Sequence, residues 1–128
     1  MTANELIHKA NRALMSAKVL LETGDCDGAC NRAYYAMFDA ARAALLAAEA
    51  PVEAEVARTH SGLITAFSLH LVKTGLVPVE LGKSINKVED LRLIADYRGD
   101  SIDLKNSSWA VSQADVFVRT LQSQFMLE

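Results

Sequence analysis

Two short segments of this chain place arginine and tyrosine side chains within apolar, alanine-rich sequence. Residues 31–38 read NRAYYAMF and include Arg32 and Tyr35, and residues 92–97 read RLIADY. A guanidinium keeps its charge, so an arginine that turns inward needs a carboxylate, an aromatic ring or an anionic ligand beside it. Both segments are therefore candidate functional sites, at which arginine is suited to bind phosphate.

Arg92 and Tyr97 form the candidate catalytic pair. Metal-free RNA cleavage needs a group that takes the 2′-hydroxyl proton, and tyrosine, which titrates near pH 10, is a weak base at neutral pH. The two residues lie about 140° apart around a regular helix, so Tyr97 has to lie at a helix end or in a loop to converge with Arg92. The structural alternative is an ion pair between Arg92 and Asp96 across one helical turn, with Tyr97 packed as a lid.

Arg32, Tyr35 and Asp96 are the candidate ligand-binding residues. Together with Arg92 they could line a groove for a nucleotide, with the base stacked on tyrosine and the phosphates on arginine. The alternative favoured for Arg32 is an ion pair that locks the bundle, formed with a carboxylate on the fourth helix, Asp96 or Glu89.

Structural roles are favoured for the other reactive side chains. Tyr34 and Phe38 are predicted core aromatics, and a capping role is favoured for His60 at the start of the third helix. Cys26 and Cys30 lack a second pair of ligands at a metal-binding spacing. They are predicted to be reduced thiols, and neither a metal nor another cofactor is expected.

The composition predicts a single all-α domain that covers residues 1–128. Of the 128 residues 51% are hydrophobic but only 6% are aromatic, and the chain contains two prolines and six glycines. An excess of alanine and leucine over aromatic residues favours closely packed helices over a sheet sandwich. The net charge of −3 argues against a protein that coats nucleic acid through bulk charge, although thirteen lysines and arginines leave room for a local basic groove.

The beginning of the sequence does not resemble a signal peptide, and no apolar run reaches the length of a membrane span. A cytoplasmic location without membrane contact is the expectation.

Apolar residues that recur every three or four positions predict five helices in an up-and-down bundle. Helix 1 is expected to begin at a capping box formed by Thr2 and Glu5 and to end near residue 23. The other helices are expected at about residues 27–50, from 59 or 61 to 73, from 78 to about 97, and from one of residues 106–108 onward. Residues 97–106 are predicted to form a mobile loop, and the tight turn between helices 1 and 2 predicts that they are antiparallel.

With these segments in place, the sequence resembles the HEPN domain family. The resemblance rests on residues 31–38, on the sequence THSG at residues 59–62 and on residues 92–97, and it extends from about residue 6 to 125. It implies a bundle of four or five helices that forms a homodimer through its central helices. Many HEPN domains are metal-independent ribonucleases, and many are encoded beside a small nucleotidyltransferase as toxin and antitoxin.

In the ribonuclease branch of that family, the fourth helix ends with arginine, a short polar spacer and histidine. This chain has Tyr97 instead and no histidine beyond His70. Two functions therefore stay open. One is a toxin-like dimer that engages or cleaves RNA and is held silent by a partner. The other is a non-catalytic dimer that binds a nucleotide or a nucleotidyltransferase subunit, with the Tyr97 hydroxyl as a target for nucleotidyl transfer.

Overall fold

The computed structural model describes residues 1–128 as five α-helices with no β-strand. The helices are α1 (Ala3–Glu22), α2 (Cys26–Ala47), α3 (His60–Phe67), α4 (Val79–Tyr97) and α5 (Leu104–Gln124). A 3₁₀ turn (Val56–Arg58) precedes α3, and a π-helical turn (Ser68–Val72) continues it. The all-α class and the five helices predicted from the sequence are confirmed.

The predicted start signals of α1 and α3 are confirmed. The Thr2 hydroxyl accepts a 3.1 Å hydrogen bond from the backbone N–H of Glu5, and the Glu5 carboxylate accepts one of 3.3 Å from the N–H of Thr2. The hydroxyl of Thr59 caps α3 by accepting a 3.0 Å bond from the N–H of Gly62. The capping role favoured for His60 is therefore wrong, because Thr59 holds that position.

The predicted end of α2 at residue 50 is wrong by three residues, since the helix ends at Ala47. Glu49 adopts a left-handed backbone conformation with a φ of 54°, and the N–H of Ala50 bonds back to the carbonyl of Leu45. This arrangement satisfies carbonyl groups at the helix end without a glycine.

The predicted start of α5 is also wrong, because the helix begins at Leu104 with Asp103 as its cap. The Asp103 carboxylate accepts a 2.8 Å hydrogen bond from the backbone N–H of Asn106. The connection between α4 and α5 is consequently shorter than predicted, and Tyr97 is the last residue of α4 rather than part of the loop.

The central helix of the bundle is α2, which contacts each of the other four. α1 runs antiparallel to it as predicted, since Met1 lies beside Leu46 whereas Leu20 lies beside Arg32. A single core of 32 buried residues includes side chains from all five helices. The small side chains of α2 are buried within this one chain, so they form an intramolecular seam: Ala33, Ala36, Ala40 and Ala44.

No helix of the chain is both long enough and apolar enough to cross a lipid bilayer.

Polar contacts bring the end of α4 and the connection between α4 and α5 to the start of α2. The amide of Asn31 donates to Asp96 at 3.3 Å, and the Asp27 carboxylate accepts a 2.8 Å bond from the N–H of Ile102. The fold therefore places residues 31–38 and 92–97, which are far apart in sequence, side by side.

Candidate functional site

Arg92 lies buried between α4 and α2, where two carboxylates and two aromatic rings enclose it. Its Nε and Nη2 atoms donate to the two carboxylate oxygens of Glu89 at 3.1 Å each, and Nη1 donates to Asp96 at 3.0 Å. Its guanidinium carbon is 4.9 Å from the ring centre of Tyr34 and 5.7 Å from that of Tyr35. With a side chain only 4% exposed, Arg92 finds within the chain the partners that a buried guanidinium requires.

The neighbours of Arg92 also determine its ionisation. Burial by itself would lower the pKa of Arg92, but the hydrogen bonds and the negative charge of Glu89 outweigh burial and raise that pKa above its usual value. Tyr35 and Tyr97 contribute less, in the same direction. Arg92 is therefore protonated, and its positive charge is already balanced by Glu89 and Asp96. It could bind a phosphate only if one of these carboxylates moved away.

The pairing of Arg92 with Asp96 is confirmed, whereas the ion pair favoured for Arg32 is wrong. Glu89 and Asp96 both bond to Arg92, and no carboxylate lies within ion-pair distance of Arg32. The guanidinium of Arg32 instead lies 5.7 Å from the ring centre of Tyr35. Arg32 lines a groove against α1, together with the basic residues Lys9 and Arg12.

Tyr97 lies at the end of α4 and is 76% exposed. Arg92 and its partners Glu89, Asp96, Tyr34 and Tyr35 are here called the Arg92 cluster. Tyr97 is thus at the surface edge of this cluster, whose guanidinium is enclosed by other side chains. The joint catalytic role of Arg92 and Tyr97 stays a prediction, and so do the ligand-binding roles of Arg32, Tyr35 and Asp96.

A histidine that sequence reasoning treated as structural is held firmly at the same site. Nδ1 of His60 lies 2.8 Å from the hydroxyl of Tyr34. The imidazole centre lies 5.4 Å from the ring centres of Tyr34 and Phe38, and 5.9 Å from that of Tyr35. Tyr34 and Phe38 are buried, which confirms their predicted place in the core. One signal in the sequence was available, because a buried tyrosine needs a partner for its hydroxyl.

His60 lines an open groove between α3 and α4, here called the α3–α4 groove. The groove has a volume of about 510 Å³, and its walls are His60, Ser61, Ile64, Thr65, Asn86 and Glu89. Glu89 connects it to the Arg92 cluster, because one carboxylate both lines the groove and accepts two bonds from the guanidinium. A titratable imidazole and a fixed carboxylate therefore share one accessible surface.

Tyr34 is bonded to His60 and lies in the field of Glu89. Burial raises the pKa of Tyr34, and the negative charge of Glu89 raises that pKa further, so the phenol stays protonated. In the tautomer in which Nδ1–H of His60 donates to the phenol oxygen, Nε2 is the unprotonated nitrogen. An imidazole in this tautomer has the form that a general base requires.

The two thiols lie at the start of α2 and are free, with Cys26 half-buried and Cys30 buried. Burial, with smaller contributions from Asp96 and Asp27, raises the pKa of Cys30 to about 12. Cys30 is therefore an unreactive neutral thiol at physiological pH. Nowhere in the chain do three or more histidine, cysteine or acidic side chains form a group that could hold a metal ion.

Comparison with known proteins agrees with this architecture. The sequence profile of the HEPN domain matches residues 3–124. The chain belongs to the HEPN domain family. Its predicted family is thereby confirmed over nearly the whole length.

Several relatives align with most of this HEPN chain. A "UPF0332 protein" of Gloeobacter violaceus is 36% identical over 95 residues, which cover 74% of this chain and 71% of the relative. A protein of Methanocaldococcus jannaschii named "Putative toxin" is 34% identical over 113 residues, covering 88% of this chain and 81% of the relative. A "UPF0332 protein" of Thermotoga maritima is 36% identical over 100 residues, covering 78% of this chain and 71% of the relative.

Proposed function

We propose that this HEPN protein is toxin-like and cleaves RNA without a metal ion, at the α3–α4 groove. The observation that carries the proposal is the position of His60, whose Nδ1 is bonded to the Tyr34 hydroxyl at the edge of an open groove. The toxin-like assignment is supported by two relatives from Methanocaldococcus jannaschii that carry the name "Putative toxin".

The proposed reaction is the attack of a ribose 2′-oxygen on the adjacent phosphorus. Nε2 of His60 takes the 2′-hydroxyl proton, the new bond between the 2′-oxygen and phosphorus forms, and the bond to the 5′-oxygen breaks. The leaving oxygen takes a proton from water, and the products are a 2′,3′-cyclic phosphate and a 5′-hydroxyl. Glu89 stabilises the imidazolium, and Arg92 acts as a positioning residue that holds the carboxylate of Glu89 in place.

The assembly and the partner belong to the same proposal. The resemblance to paired HEPN proteins predicts a homodimer, and it predicts a nucleotidyltransferase as the partner that silences the protein. Neither requires a cofactor bound to this chain.

The test is incubation of the purified protein with total cellular RNA in an excess of metal chelator. We expect cleavage fragments that end in a 2′,3′-cyclic phosphate, and we expect His60→Gln to slow cleavage by at least about 100-fold, the lower end of a general-base contribution. His70→Gln is the matched control, because His70 is a half-buried histidine on the π-helical turn beyond α3 and is not part of the groove. This control should retain full activity.

Two results would contradict the proposal in different ways. Cleavage that survives in His60→Gln but is lost in Tyr97→Phe would move the chemistry to the predicted pair of Arg92 and Tyr97. RNA that stays intact with the wild-type protein would exclude metal-independent cleavage of these substrates and favour the second candidate function.

The second candidate is a non-catalytic dimeric module that binds a nucleotide or a nucleotidyltransferase. The exposure of Tyr97 at the end of α4 favours it, because a modifying enzyme has to reach the phenol oxygen. In the transfer that we envisage, a base of the nucleotidyltransferase takes the phenol proton, the oxygen attacks the α-phosphorus of a nucleoside triphosphate, and pyrophosphate leaves. Intact-mass spectrometry after co-expression with a partner nucleotidyltransferase should then show one added nucleotide, absent from Tyr97→Phe. An unchanged mass in the wild-type protein would exclude this role.

A further inference from the structure

A second groove lies between α4 and α5 and shares no residue with the α3–α4 groove. It has a volume of about 450 Å³, and we call it the Trp109 groove. α4 contributes Lys87, Asp90 and Leu91 to its walls, and α5 contributes Lys105, Asn106 and Trp109.

The only tryptophan of the chain forms one wall of this groove. Trp109 is half-buried, with part of its indole packed against the core. The ammonium nitrogen of Lys87 lies 5.9 Å from its ring centre. The fold therefore holds part of a large aromatic side chain against the core and leaves part of it lining the groove, with the Lys87 ammonium over the ring.

The charges around the indole are arranged for an anionic ligand that also carries hydrogen-bond donors. Neither Lys87 nor Lys105 lies within ion-pair distance of a carboxylate. Lys105 and Asn106 lie in the first turn of α5, where the helix dipole also favours negative charge. Asp90 adds one acceptor group to the same groove.

We infer that the Trp109 groove binds one nucleotide of a single-stranded RNA, an inference that rests on the proposed RNA function. The base stacks on the indole of Trp109, and the phosphates on either side contact Lys87 and Lys105. Asp90 and Asn106 accept hydrogen bonds from amino groups at the edge of the base. An acidic peptide would satisfy the lysines equally well, but it would leave the indole unused.

Trp109 itself provides the measurement, because its fluorescence is the only tryptophan signal of the protein. The probe is an oligoadenylate of about ten nucleotides, a length within the usual range of single-strand sites. We expect saturable quenching of Trp109 fluorescence as the oligonucleotide is added. In parallel, the anisotropy of a fluorescein-labelled copy of the probe should report binding with the same midpoint.

Two sets of variants separate stacking from charge. Trp109→Leu should weaken binding measured by anisotropy by at least about fivefold, the lower end of a stacking contribution, with the salt dependence unchanged. Lys87→Ala and Lys105→Ala should each reduce the slope of log affinity against log salt by about 0.7. Lys73→Ala, which removes an exposed lysine outside the groove, is the matched control and should leave affinity and slope unchanged. Circular dichroism of every variant verifies that the fold is intact.

The outcomes distinguish this inference from the proposed function. Full-affinity RNA binding with unchanged Trp109 fluorescence would overturn the Trp109 groove but leave RNA cleavage at His60 standing. Absence of any anisotropy change would also overturn the Trp109 groove, whereas the proposed cleavage is decided separately by the test on total cellular RNA. Equal quenching by a polyglutamate decapeptide would show a surface for acidic protein segments and would overturn the assignment to RNA.

Discussion

At the scale of single residues, the Arg92 cluster shows how a permanent charge is accommodated in an alanine-rich core. Glu89 accepts two hydrogen bonds from Arg92 and Asp96 accepts one, while the ring of Tyr34 covers a guanidinium face. Removing one partner of such a pair leaves the other charge buried and unpaired, which costs more than the pair itself contributes. Loss of function in an Arg92 variant would therefore be ambiguous between lost chemistry and lost stability.

The first prediction measures how much Arg92 contributes to stability. Arg92→Met should lower the free energy of unfolding by about 3–5 kcal/mol, because the mostly buried carboxylate of Glu89 loses its counter-charge. The double variant Arg92→Met with Glu89→Gln should recover much of the loss, since neither charge then remains. Urea unfolding followed by far-ultraviolet circular dichroism provides both values. A cost below about 1 kcal/mol for Arg92→Met would mean that the guanidinium is not required by the fold, and would favour its predicted role as a phosphate ligand.

At the scale of helices, the sequence predicts local features better than contacts between elements. The Arg92–Asp96 pair and the caps Thr2 and Thr59 were predictable because each joins residues three or four positions apart. The partners of Arg32 were not, because they depend on how α2 sits against α1 and α4.

The same distinction between local and long-range contacts explains why the role of His60 and the cap of α5 were predicted wrongly. The bond between His60 and Tyr34 joins residues 26 positions apart, so only the packing of α3 on α2 reveals it. At the start of α5, Ser107 had the chemistry of a cap. Its hydroxyl is instead buried and donates to the carbonyl of Cys26 at 2.9 Å, which leaves capping to Asp103.

The second prediction concerns the start of α3, which positions His60. A Cβ atom at Gly62 would lie 2.2 Å from the carbonyl oxygen of Val56 and 2.4 Å from the Thr59 hydroxyl, so Gly62→Ala has to displace backbone. We expect a loss of about 1–3 kcal/mol in the free energy of unfolding. The helical control is Gly82→Ala, whose Cβ would meet only the side chain of Val72, at 3.2 Å.

Gly82→Ala should be close to neutral, because a gain of up to about 1 kcal/mol in helix propensity offsets a contact that a side chain can relieve. Equal stability of the two variants would show that the junction before α3 is softer than its geometry implies. His60 would then be less firmly positioned than the proposed mechanism requires.

At the scale of the whole molecule, the chain is built around a single core. α2 lies at its centre and contacts the other four helices, and no helix has a separate set of buried partners. Elements that share one core unfold together, since none can keep its apolar surface covered when another leaves. Because the alanine face of α2 is buried in this core, a homodimer would have to form through other surfaces.

The last prediction tests the single domain and the homodimer in one calorimetric series. We expect one unfolding transition with an enthalpy of about 90 kcal per mole of chain, since unfolding near 60 °C absorbs about 0.7 kcal/mol per residue. Its midpoint should rise with protein concentration, because a dimer that dissociates on unfolding is stabilised by mass action. A midpoint that stays constant over a roughly hundredfold range of concentration would contradict the homodimer and leave the single domain intact. Two separated transitions would contradict the single domain, because the helices that melt first would have to leave a core that survives without them.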